Sequence, residues 1–178
     1  MSTLILKSAK ASWKNLVDSI RILGIDPGTL KTGYGLIEYS EKRTIYIASG
    51  CIKLNTKNSL SDRLLILSIQ LGKMIEEYKP DCGAVEKIFF AKNPKSALTL
   101  GHARGVILLK LAEKNLPLHE YQPLKIKQTI VGVGRADKNQ INHMVKILLN
   151  LQKNLQEDEA DALAVAITSA HLLTHNNF

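Results

Sequence analysis

The chain has 178 residues and a mass of 19.7 kDa, long enough to bury one sizeable core and short for two. At 45% hydrophobic and 22% charged residues it has the balance of an ordinary soluble globular protein. It has no run approaching ~20 apolar residues, no biased tract and no repeat, which excludes a transmembrane helix, a fibre, a solenoid and a mostly disordered chain. The formal charge is +8. Residues 79–146 hold 12 Lys/Arg against 5 Asp/Glu, while residues 147–178 hold one lysine and four acids. A basic middle of this kind points to a phosphate-bearing partner, nucleic acid first; the alternative is a solvated surface that keeps the protein soluble. Cys51 and Cys82 fit no C-x-x-C pattern and read as reduced, small apolar residues, in agreement with a cytoplasmic protein.

Residues 1–20 set Lys7, Lys10 and Lys14 against Asp18, and their apolar run, Leu4–Leu6, is too short for a secretory signal. They read as a flexible basic extension, and residues 21–178 as one domain. Arg21–Asp26, Gly33–Tyr39 and Thr44–Lys53 are β-branched and aromatic runs with short connections, which predicts an antiparallel meander of three strands. Leu64, Leu67, Leu71 and Ile75 repeat at helical spacing, so Leu60–Tyr78 is a predicted helix that Pro80 stops. A strand over Cys82–Ile88 precedes a long helix from Pro94 to Glu113. Leu116–Tyr121 is the fifth strand, and helices cover Pro123–Val131, Lys138–Leu149 and Glu157–Leu173. Three meandering strands followed by alternating strands and helices predict an α/β fold, a mixed sheet of about five strands with helices on both faces.

The acids carry the chemistry. Asp26 closes an apolar strand and is followed by Pro27-Gly28, a position suited to a site at the sheet's edge and equally to a turn cap. Glu86 stands in an otherwise apolar strand, where an ionised carboxylate needs compensation. Asp158 and Asp161 are i and i+3 on one helical face; Glu159 points elsewhere, and acids in a first turn also favour the helix dipole. Four carboxylates in one place would repel unless cations bind them. Oxygen ligands suit Mg²⁺ or Mn²⁺, and two such ions can activate a water and stabilise a leaving 3′ oxygen.

Residues 22–37 (ILGIDPGTLKTGYGLI), 84–106 (AVEKIFFAKNPKSALTLGHARGV), 126–134 (IKQTIVGVG) and 158–168 (DEADALAVAIT) together resemble the RuvC family of Holliday-junction resolvases, which have a ribonuclease-H-like fold. The resemblance implies that Asp26, Glu86, Asp158 and Asp161 are the catalytic and metal-holding acids. It implies a homodimer that binds a four-way DNA junction, nicks two strands of like polarity with a divalent metal, and works with a branch-migration complex of a junction-binding protein and a ring ATPase. Phe89 matches an aromatic used against unstacked bases, and Lys127 and Lys138 match basic positions near the scissile phosphate. Lys92, Arg104 and Arg135 are further DNA-binding candidates, Arg104 alternatively lying at a dimer surface. Glu157, Glu159, Arg135 and the extension depart from the usual pattern. Rival readings are an actin-like phosphotransferase, which shares the turn pattern Gly24–Thr29 but needs two domains, a non-catalytic junction clamp, and another ribonuclease-H-like nuclease.

Overall fold

The computed structural model describes residues 19–40, 43–87 and 94–175. Five strands form one sheet in the order β3-β2-β1-β4-β5: β1 (Ser19–Asp26), β2 (Lys31–Ser40), β3 (Arg43–Lys53), β4 (Cys82–Glu86) and β5 (Leu118–Tyr121). The helices are α1 (Leu60–Tyr78), α2 (Pro94–Glu113), α3 (Pro123–Val131), α4 (Lys138–Leu148) and α5 (Glu157–His175). β1 pairs antiparallel with β2, and β2 with β3, as the meander requires. On its other side β1 runs parallel to β4, and β4 parallel to β5. The expected element order, the mixed sheet and the two helical layers are all present. β1 begins at Ser19, paired with Ser40, two residues before the expected boundary.

Alternation along the strands divides the core. Ile22, Ile37, Cys82 and Ala84 pack with α3, α4 and α5, whereas Leu23, Ile25, Leu36 and Val85 pack with α1 and α2. Both faces are covered, which is why β1 and β4 read as unbroken apolar runs rather than as alternating ones. By the same period of two, Asp26 and Glu86 face the α5 layer.

Three glycines on that face let α5 approach the sheet. A Cβ on Gly24 would stand 2.1 Å from the Ala162 carbonyl oxygen, one on Gly33 2.0 Å from that of Asp158, and one on Gly35 2.7 Å from Leu163. Ala160, Ala162, Ala164 and Ala166, all buried, give the helix the matching low profile. Close packing of small residues therefore fixes the height of α5, and with it the positions of its acids.

Candidate active site

Each acid is placed by a separate piece of local structure. Ile25 pairs with Val85 in the parallel β1–β4 ladder, so Asp26 and Glu86 end neighbouring strands side by side. The turn after Asp26 is held from three sides. The Thr32 hydroxyl donates to the Gly28 carbonyl at 3.3 Å, Arg63 Nη1 donates to the Thr29 carbonyl at 3.1 Å, and the Leu54 N–H donates to the Leu30 carbonyl at 2.8 Å. Asp161 comes from the second turn of α5, where Glu159 Oε2 accepts from the Gln156 N–H at 3.1 Å and caps the helix start. Glu159 thus serves the helix terminus, one of the two roles open to the acidic cluster.

Asp26, Glu86 and Asp161 line one cavity of about 220 Å³ together with Lys127, Lys138, Pro123, Ile126 and Ile141. Asp158 borders the adjoining 640 Å³ groove with Thr29, Leu30, Lys31 and Glu157. Its Oδ2 accepts a weak hydrogen bond from the Cys51 thiol at 3.8 Å. The charges feel one another across this boundary. Burial pushes the Asp26 carboxyl up to about 8, and Asp161, Glu86 and Asp158 push in the same direction, against Lys138. Glu86 and Asp161 are also raised, first by burial, with Lys138 and Lys127 opposing. Burial and like charge together make this a place where ionised carboxylates need a cation.

As the side chains stand, no three His, Cys, Asp or Glu groups among the described residues are set to hold one ion. The donor set nevertheless suits a hard divalent ion: carboxylate oxygens only, mutually destabilised when ionised, beside an open groove.

The cations are divided. Lys138, the first residue of α4 after the Asp137 cap, forms an ion pair with Glu157 and lies 3.7 Å from Asp161 Oδ2. Lys127 faces the cavity from α3, and Arg135 is exposed in the α3–α4 connection. Arg104 is placed differently from a free phosphate contact: its guanidinium is paired with Glu120 of β5, and both side chains are partly buried. Phe89 and Lys92 lie outside the described residues. Cys51 and Arg63 had no sequence signal as parts of the site, because only strand register brings Cys51 opposite Gly33 and only the fold brings α1 to the turn.

The sequence model of a family described as "Crossover junction endodeoxyribonuclease RuvC" matches residues 22–169. The chain belongs to the RuvC family. A crossover junction endodeoxyribonuclease RuvC of Syntrophotalea carbinolica is 50% identical over 158 residues, covering 89% of this chain and 98% of that protein. The RuvC of Serratia proteamaculans is 48% identical over 151 residues, 85% of this chain and 87% of the other. Among solved structures, Thermus thermophilus RuvC superposes with a TM-score of 0.81 at 27% identity, covering 88% of this chain and 97% of that one. T. thermophilus RuvC in complex with Holliday junction substrate gives 0.83 at 26% identity, covering 88% and 96%. The RuvC match begins at Ile22, inside β1, and ends at Ser169, inside α5, so it takes in every element described above.

Proposed function

We infer that this protein is a structure-selective endonuclease that resolves four-way DNA (Holliday) junctions by metal-dependent, paired nicking of two strands of like polarity, in homologous recombination and DNA repair. The observation that carries the reading is the trio Asp26, Glu86 and Asp161 in one cavity flanked by Lys127 and Lys138, in a chain of this family.

Asp26, Glu86 and Asp161, with Asp158 from the adjoining groove, are the residues that would hold Mg²⁺, or Mn²⁺ in its place, at two ions per site. When bound, such ions would make a bound water more acidic than bulk water and offset charge at the leaving 3′ oxygen. The chain's own part begins with attraction: the basic residues 79–146 draw the sugar–phosphate backbone to the acids, which would otherwise repel it. Lys127 and Lys138 line the cavity, and each can donate to a non-bridging oxygen of a phosphate that enters it. Ile126, Ile141 and Pro123 form the apolar side of the cavity, which limits water and strengthens those contacts. Arg63, Thr32 and Leu54 keep the Asp26 turn from yielding when the strand is bound.

Paired nicking calls for two copies. On α2, Leu98 and Leu109 are 65% and 59% exposed, and Gly101 and Gly105 lie on the same face with open space before them among the described residues. That unpartnered stripe supports a homodimer built on α2. The partner beyond the dimer is a branch-migration complex of a junction-binding protein and a ring ATPase, and the place of work is the cytoplasm, where a bacterial chromosome lies.

The test is a synthetic junction with a mobile core, each strand labelled in turn, incubated with the protein and Mg²⁺ beside Asp26→Asn and a linear duplex. Symmetric paired nicks, absent from the mutant and the duplex, are expected. Nicks in any DNA or hybrid would replace junction selectivity with a broader nuclease, and tight binding without nicks would replace the enzyme with a clamp.

A further inference from the structure

Beside the acidic cavity stand two large apolar side chains that the core does not use. Leu124, in the first turn of α3, and Val133, in the α3–α4 connection, are each 54% exposed. A single exposed aliphatic needs no explanation, but these two stand on neighbouring backbone. Leu124 lies across Gly134, the residue after Val133: a Cβ there would meet Leu124 Cδ1 at 2.3 Å. The connection that carries Val133 is held at both ends. Gly132 closes α3 with φ +83° and donates its N–H to the Gln128 carbonyl at 2.9 Å, Ala136 is buried, and Asp137 caps α4 by accepting from the Gln140 N–H at 2.9 Å. The apolar tip is therefore built on anchored backbone rather than on a loose loop.

Its surroundings select its partner. Pro123, Ile126 and Lys127, which flank Leu124 in sequence, line the acidic cavity, so the tip is within one helical turn of it. Lys138 lines the cavity as well, and exposed Lys125 and Arg135 are close in sequence to Leu124 and Val133. An apolar protein partner would gain nothing from the neighbouring cations, whereas a nucleic-acid strand presents phosphates to the cations and, where stacking is interrupted, a base face to the aliphatics. Wedges of Leu, Ile or Met that occupy an opened base step are a general device for holding deformed DNA.

We propose that Leu124 and Val133 form an apolar wedge that packs against a base left unstacked at the branch point, so that they contribute to preference for a junction over a duplex. This rests on the junction-resolving reading and adds to it a residue pair that distinguishes interrupted from continuous stacking. Because the pair is exposed, polar replacement leaves the core intact.

The experiment uses the full-length protein in EDTA and a four-way junction with 2-aminopurine at the branch point, with a duplex of the same sequence as reference. Leu124→Ser/Val133→Ser is compared with Leu124→Met/Val133→Ile, which keeps the tip apolar. Wild type and the conservative pair should raise 2-aminopurine fluorescence on binding. The serine pair should lose that rise and bind the junction roughly 10- to 100-fold more weakly, as expected when roughly half of two aliphatic side chains no longer leave water. Its duplex affinity and salt dependence should be unchanged. A serine pair that keeps both fluorescence and affinity overturns the wedge alone. Equal loss on junction and duplex overturns it in favour of a general phosphate surface. A wild type that does not prefer the junction overturns the parent reading, and the wedge with it.

Discussion

Replacing Gly33 by alanine tests whether the close approach of α5 is what assembles the site. The added methyl would stand 2.0 Å from the Asp158 carbonyl oxygen and 3.1 Å from the Asp158 Cβ. Ordinary contact starts near 3.4 Å, so the first turn of α5 must retreat by about 1.4 Å, taking Asp158 and then Asp161 away from Asp26. Overpacking of this kind costs ~1–3 kcal/mol, which a domain with ~5–15 kcal/mol survives. In a chain of this size it lowers Tm by roughly 2–12 °C. A displacement of ~1 Å at reacting groups costs on the order of 10²-fold in rate, about 2.7 kcal/mol of barrier. Thermal melts and single-turnover nicking of a labelled junction at saturating Mg²⁺ measure the two effects, with junction binding expected to persist. Gly72→Ala on α1 is the control: among the described residues its methyl meets only Lys110 Cδ, at 3.8 Å, and removing a helical glycine should stabilise by ~0.5–1 kcal/mol. If Gly33→Ala melts lower yet nicks within threefold of wild type, the spacing of α5 from the sheet is not what places the acids.

Without metal, folding stability should fall as pH rises. Asp26 holds its proton to about 8 in the folded chain against an ordinary 3.8, and Glu86 and Asp161 are raised too, so the folded state binds more protons than the unfolded one between those limits. Urea midpoints in EDTA should therefore drop from pH 4 to pH 9, with Mg²⁺ reversing the drop and Asp26→Asn lessening it; a flat profile in EDTA contradicts the repulsion. Lys127→Ala should slow nicking by roughly 10- to 100-fold, the worth of a charge-assisted hydrogen bond, with Tm nearly unchanged; an unfolded variant would refute its place at the cavity surface. Glu157→Gln frees Lys138 from an exposed ion pair and removes a charge facing the phosphates, so junction affinity should rise by up to about fivefold; unchanged affinity would show that Glu157 does not compete for Lys138.

The elements were legible because each was punctuated: Pro80 after α1, Pro94 and Pro123 at the starts of α2 and α3, and β-branched runs for β1 to β3. The fifth strand was set too long, from Leu116, where an apolar residue precedes the ladder in the connection; the fourth ends at Glu86, and Ile88 lies outside the described residues. The acids Asp26, Glu86, Asp158 and Asp161 stood out by their apolar settings and helical spacing, but their meeting in one place was implied only by the resemblance, and the cavity holds three of the four. What composition could not carry was cross-strand register. A slip between Leu36 and Ile37 shifts the β2–β3 pairing, and it is this shifted register that puts Cys51 opposite Gly33 and within reach of Asp158. Arg104 illustrates the same limit: on a sequence it is a cation near other cations, and only the contact of α2 with β5 reveals Glu120 as its partner.

The order in which the ribosome delivers these parts matters for a protein able to cut chromosomes. Asp26 is synthesised early and Asp161 135 positions later, an interval of about 7–27 s at ~5–20 residues per second. The β1–β2–β3 meander can form as it emerges, yet the cutting centre waits for α5 to settle on Gly24, Gly33 and Gly35. A nascent or prematurely terminated chain thus has folded strands and a DNA-attracting charge but no means of hydrolysing the backbone. With the site as proposed, nuclease activity would arrive only with α5, so the architecture would double as a safeguard against release of a fragment that cuts.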